Sequence, residues 1–203
     1  MKDLYYFSPT KSMKLSSRVG LSVSATLLQW FLLFLGEELR PHLRFLPFLN
    51  LLRPGDPSSF SYFFNVFLGD LGIGVLSLAP IVGEILLVAV DFNTGTIIGR
   101  GSLPLALLLK LMGLPSSWLE LGALGLLAAE GMALTTAVLR GRLVRELEVL
   151  WKVFLISTYL LLGSAFLEVA EEALRSAAAL SWVGFVPFAL TAALAYKWWT
   201  VEK

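Results

Sequence analysis

Hydrophobic residues in this chain fall into long runs, without the strict alternation of strands, and the run lengths predict the elements. About 30 Å of hydrocarbon at 1.5 Å per helical residue requires roughly 20 apolar residues per crossing. Val19 to Leu35 meets that requirement with one internal polar residue, Gln29. Glu37 to Ser59 reads as a loop holding Pro41, Pro47, Pro54, Gly55 and Pro57, its apolar patch Phe45 to Leu52 suited to lying in the interface. Phe60 to Val90 is a second apolar segment, long enough that it must tilt, kink or break near Pro80. Asp91 to Ser102 is polar and Gly-rich and leads to a short apolar run, Leu103 to Met112, that contains Lys110. Ser117-Trp118-Leu119-Glu120 has the capping-box pattern, which predicts a helix from Trp118 to about Leu139 with its first amides satisfied by Ser117 and Glu120. The polar link Arg140 to Glu148 precedes a span from Val149 to Leu167, then Glu168 to Ser176, then a last span from Ala177 to Tyr196. Trp198 and Trp199 beside Lys197 form an interfacial anchor.

Composition supports the same picture. Of the 203 residues 57% are hydrophobic and 15% charged, against roughly 25% charged in a soluble domain, and mean hydropathy is +0.77. Too few charges are present to cover this much Leu, Phe, Ala and Val in water. The expected fold is therefore all-α, a polytopic transmembrane helical bundle of about six membrane segments including one short or broken one. Residues 1–18 form a cytoplasmic tail and 19–203 a single transmembrane domain. The first apolar run ends in Gly36-Glu37-Glu38 without a cleavage site, so it reads as a retained span.

If the short run crosses, Lys2, Lys11, Lys14, Arg18, Arg100, Arg140, Arg142, Arg145, Lys152, Lys197 and Lys203 lie inside. Arg40, Arg44, Arg53, Lys110 and Arg175 then lie outside, a split of 11 to 5. The positive-inside rule then puts the chain in the cell membrane as a multi-pass protein with both termini cytoplasmic. Lipids, other membrane proteins or further copies of the chain are the expected partners. A net charge of +1 without a basic stripe leaves no footprint for nucleic acid. The absence of cysteine removes disulfides, thiolate nucleophiles and Cys-ligated metals.

The candidate chemistry lies in the intramembrane carboxylates. Asp70 and Glu84 are 14 residues apart, so on an unbroken helix they fall within about 40° of each other. Glu130 lies midway along the capped helix. A carboxylate at mid-bilayer costs on the order of 2.5–3.5 kcal/mol, so all three should face protein or a water-filled recess, either as part of an ion or proton path or as groups hydrogen-bonded within the bundle. Gly72, Ala79 and Gly83, and Gly122, Gly125 and Ala129, are small residues suited to close helix contact, in a dimer seam or inside one bundle. Glu168, Glu171 and Glu172 share a helical face with Arg175 one turn on, a face suited to a divalent cation or simply to solvent. The single histidine, His42, falls in a loop and makes no zinc site. No HExxH motif is present, no serine has an intramembrane histidine, and Phe67-Leu68-Gly69-Asp70 lacks the first glycine of the GxGD pattern of presenilin-like proteases. Neither an enzyme, a cofactor site nor a metal site is expected.

From Asp91 to Glu120 the chain resembles the stage II sporulation protein M (SpoIIM-like) family. Phe92-Asn93-Thr94-Gly95 with Gly99 is similar to that family's Asn and Gly turn after a long apolar helix. Leu114-Pro115-Ser116-Ser117-Trp118-Leu119-Glu120 is similar to its Pro-His-Gly and Glu signature through Pro115 and Glu120, with Ser116 and Ser117 standing where His and Gly are usual. The resemblance implies a non-enzymatic integral membrane protein, an accessory or scaffolding component of a membrane assembly. In bacteria that assembly works with cell-wall hydrolases during engulfment. A small transporter, channel or lipid-handling protein with an internal path lined by Asp70, Glu84 and Glu130 is the alternative.

Overall fold

The computed structural model describes residues 15–39, 60–98, 104–140, 143–173 and 180–200. His42, Gly99, Arg175 and the patch Phe45 to Leu52 lie outside the described residues. The regular structure among the described residues is helical: α1 (Leu15–Leu39), α2 (Phe60–Ser77), α3 (Val82–Ile98), α4 (Pro104–Met112), α5 (Pro115–Arg140), α6 (Leu143–Ala173) and α7 (Ser181–Thr200). Among the described residues three stretches are long and apolar enough to cross a membrane, Ser16–Leu39, Pro115–Arg140 and Glu146–Ala173.

The second apolar segment breaks at Pro80, and the break reverses the chain. Asp70 lies in electrostatic range of Glu120, a Cβ on Gly74 would meet Leu127 and Leu124, and Gly131 sits against the Ser77 carbonyl. The chain thus advances along α5 as α2 proceeds. It then retreats, because Thr135 faces Glu84, Leu87 packs with Leu124 and Ala128, and Asp91 returns to the level of Glu120. The segment is a helical hairpin, and the shared-face argument for Asp70 and Glu84 fails because the two residues sit on antiparallel arms. Ile81 at the tip has φ 66°, a left-handed conformation that strains a β-branched residue. Its amide donates to Thr135 Oγ1 at 3.2 Å.

Past the hairpin, helix α3 continues through Asp91 to Ile98, where the composition predicts a loop. Close packing on α1 supports this poor helix former. A Cβ on Gly36 would clash with the Phe92 carbonyl, and one on Gly95 with the Leu33 carbonyl, so each helix supplies a glycine for the other's backbone to approach. Inside the bundle, Gly72, Ala79 and Gly83 do not line one helix contact. Gly72 meets nothing within 4 Å, and Gly83 is needed for the hairpin itself, against Ser77. On α5, Gly122 likewise meets nothing, while Gly125 lies against Thr26 and Ser22 of α1.

Helix α5 is the axis of the bundle and packs against all six other helices. It begins at Pro115, where a missing amide hydrogen costs nothing, and not at Trp118. Its cap comes from elsewhere in the chain. The Ser116 amide donates to Glu171 Oε1 at 3.2 Å and the Ser116 hydroxyl to Glu171 Oε2 at 2.5 Å. Ser117 and Glu120 are therefore inside the helix, and the capping-box expectation is replaced by a carboxylate reaching across from α6. Helices α1 and α6 run antiparallel to α5. Trp30 packs against Trp118 with the rings tilted at 51° at one end of α1, and Arg18 reaches Glu130 from the other. Helix α7 starts where Trp182 Nε1 donates to the Gly113 carbonyl at 3.1 Å. It returns along α6, with Phe188 over Gly163. The short helix α4 stays at the Pro115 end, where Leu108, Leu111 and Met112 pack on Trp30, Leu33 and Leu121.

Apolar side chains cover the outside. Val23, Leu27, Phe31, Leu68, Ile85, Leu162 and Val183 are all exposed, whereas Arg18, Gln29, Glu130 and Glu146 lie within. A soluble monomer rarely carries such a surface, and a lipid-facing one requires it.

Candidate functional site

Two charged centres lie on either side of the bundle's middle, the first buried and the second partly so. The first joins α1, α5 and α6. Arg18, 2% exposed, extends one guanidinium nitrogen to Glu130 Oε2 and the other to Glu146 Oε2. Glu130 is 1% and Glu146 5% exposed. Tyr196 of α7 is close enough to feel both Glu130 and Arg18. A guanidinium fork suits this task because its donors point in fixed directions and can engage two carboxylates together.

The second centre is acidic. Glu120 on α5 lies in electrostatic range of Asp70 on α2, Asp91 on α3 and Glu168 on α6. The charges acting on Asp70 and Asp91 are those of other carboxylates. Tyr62 donates to Glu168 Oε1 at 2.5 Å, which neutralises nothing. Asp70 Oδ2 and Asp91 Oδ2 are enclosed without a hydrogen-bond partner among the described residues, as are Gln29 Oε1 and both amide atoms of Asn93. Asp91 is 4%, Asn93 2% and Gln29 1% exposed. Gln29 belongs to this level because α1 and α3 run in parallel register, with Ala25 packed near Leu87 and Leu33 against Gly95. Buried acceptors lacking donors are costly, and a group of them invites a proton or water. Among the described residues no three Asp, Glu, His or Cys side chains are close enough to hold a metal ion together.

The three carboxylates singled out from sequence therefore separate. Asp70 joins the acidic centre and Glu130 the Arg18 centre. Glu84 lies apart in the first turn of α3, half-buried and 3.4 Å from Thr135 Oγ1, where the helix dipole favours a negative charge. Of the family-motif positions, Asn93 and Gly95 are helical and buried, Pro115 opens α5 and Glu120 is central to the acidic group. Sequence reasoning missed Arg18, read as tail, and Glu146, read as link. It also missed Asp91 at a supposed segment end, and the face of Glu168 and Glu171, read as suited to a divalent cation or to solvent, instead gives Glu168 to Tyr62 and Glu171 to Ser116. Each lies just beyond an apolar run, and only helices longer than their runs carry these groups inside. One signal was present: Arg18 and Gln29 are 11 residues apart, three helical turns on one face.

Comparison with known proteins finds no matching family model, no matching curated protein and no matching solved structure.

Proposed function

We propose that this chain is a non-enzymatic, multi-pass protein of the cell membrane that carries protons along an internal path. The observation that supports this most is that Asp70, Asp91 and Glu168, from three helices, each lie in electrostatic range of Glu120 on α5, with Asp91 buried and the other three half-buried. Uncompensated intramembrane carboxylates are costly to stability and mark ion or proton pathways. Protons are favoured over metal ions because these carboxylates are near enough to interact and too far apart to chelate one ion.

The helix directions support six crossings, reached by a different division from the one the run lengths suggest. In this reading the α2–α3 hairpin crosses twice and α4 not at all. Arg100 then moves to the Pro115 end with Arg40, Arg44, Arg53, Lys110 and Arg175. The Arg140 end keeps Lys2, Lys11, Lys14, Arg18, Arg140, Arg142, Arg145, Lys152, Lys197 and Lys203, a split of 10 to 6. The Arg140 end, with both termini, is cytoplasmic on this count.

Proteoliposomes holding a pH-sensitive dye and a potassium diffusion potential test the function. Wild type acidifies or alkalinises the lumen according to the sign of the potential, and Asp91→Asn with Glu120→Gln abolishes the response. The resemblance to the stage II sporulation protein M family supports a second reading, an accessory component of a membrane assembly formed with other membrane proteins or as a homo-oligomer. Under that reading wild type moves no protons.

A further inference from the structure

Between the two centres, the face of α1 turned to α5 is polar at helical spacing. Arg18, Ser22, Thr26 and Gln29 fall within about 80° of one another around the axis. They span eleven residues, or roughly 16 Å of helix. Arg18, Ser22 and Gln29 are buried and Thr26 half-buried. Thr26 Oγ1 is 3.0 Å from the Ser22 carbonyl and 3.3 Å from the Leu121 carbonyl. Gln29 Nε2 is 3.2 Å from the same Leu121 carbonyl, while its Oε1 has no partner among the described residues. Opposite Thr26 stands Gly125, where any Cβ would collide with the Thr26 hydroxyl and crowd the Ser22 carbonyl. A seam held only by packing needs no such row. One hydroxyl would serve as interhelical glue, and apolar residues would fill the remainder.

At one end of this stripe Gln29 reaches the carbonyl of Leu121, the residue after Glu120, and at the other Arg18 holds Glu130 and Glu146. We propose that the α1–α5 seam is the route between the two centres, with the Thr26 and Ser22 hydroxyls as relay groups and Gln29 as a positioning residue at its mouth. The inference rests on the proton-carrying reading above. Each hydroxyl accepts a proton on a lone pair and gives up its own hydrogen to the next acceptor, so no charge is left behind and no oxidant or reductant is involved. Side chains four residues apart have Cβ atoms about 5–6 Å apart, a gap that one bridging water closes. The proton leaving the Asp91–Glu120 group is received by the Glu130–Glu146 pair, which Arg18 holds in place. Gly125 lets the Thr26 hydroxyl and the Ser22 carbonyl lie directly against the α5 backbone.

The same proteoliposome assay separates the route from the function. Thr26→Val keeps the shape and removes the hydroxyl, and the expected result is a fall in proton flux of tenfold or more. Ser22→Ala acts in the same direction. Thr26→Ser, which keeps the hydroxyl, restores the flux. Circular dichroism and a monodisperse elution profile establish that each variant is folded. If Thr26→Val combined with Ser22→Ala conducts like wild type while Asp91→Asn with Glu120→Gln does not, the route is overturned and the function stands. If Thr26→Ser loses as much flux as Thr26→Val, packing and not the hydroxyl is at stake, and the route is overturned. Absence of flux in wild type overturns both.

Discussion

Removing Arg18 is the perturbation that most directly tests the charged interior of the bundle. Two carboxylates, Glu130 and Glu146, engage its guanidinium and both are buried. A hydrogen bond to a charged group contributes about 1.5–3 kcal/mol, and breaking a buried ion pair so that charge is left uncompensated costs about 3–5 kcal/mol. Because the substitution breaks both ion pairs, Arg18→Met should cost 3–5 kcal/mol or slightly more, on the order of the buried-pair value. Methionine is chosen because it keeps the packing of the aliphatic stem, so that the loss reports charge. Lys152–Glu148 provides an internal comparison. That pair is 3.5 Å apart with side chains 36% and 75% exposed, and Lys152→Met should cost no more than about 1 kcal/mol. Unfolding in mixed micelles with increasing dodecyl sulfate, followed by far-ultraviolet circular dichroism, measures both. Adding Glu130→Met and Glu146→Gln to Arg18→Met should recover most of the loss, because no charge is then stranded. Equal small costs for Arg18→Met and Lys152→Met would refute the buried triad.

The cap of α5 makes a contrasting pair of predictions in the same assay: Glu171→Ala should cost about 1.5–3 kcal/mol by removing the acceptor for the Ser116 amide and hydroxyl, while Ser117→Ala should lie within about 0.5 kcal/mol of wild type. A loss at Ser117 with none at Glu171 would restore the local capping box. At the hairpin tip, Ile81→Gly relieves a left-handed residue that costs roughly 1–2 kcal/mol and is 57% exposed; offset by glycine's greater unfolded entropy of about 0.5–1 kcal/mol, it should leave stability equal or higher, and a clear loss would mean Ile81 is not strained. Because the chain has no native cysteine, Thr10→Cys, Thr200→Cys and Ala79→Cys can each be labelled on a clean background. The first two should react with an impermeant maleimide from the same face, and labelling from opposite faces would remove the topology.

Local composition was enough to determine that the chain is helical and coated with apolar residues, because run length and the scarcity of charge are properties of neighbours in sequence. It also located the break at Pro80, since proline within a helix removes a backbone hydrogen bond and crowds the preceding turn, although α7 continues through Pro187. What happens after that break is a long-range matter. Whether the chain continues or folds back depends on Gly131 meeting Ser77, and Thr135 meeting Ile81 and Glu84, across more than 50 residues, and no local propensity encodes that choice. The same holds for Asp91 to Ile98, where Asn, Thr and Gly favour a turn locally, yet reciprocal glycine contacts with α1 hold the segment as helix. Asp70, Glu84 and Glu130 could be recognised singly because a carboxylate inside an apolar run is conspicuous. Their partners Arg18, Asp91, Glu120, Glu146 and Glu168 stand near polar segment ends, where charge is ordinary. Only the packing of the other helices around α5 shows that these ends are drawn inside, and that the buried charges form two centres joined by a polar seam.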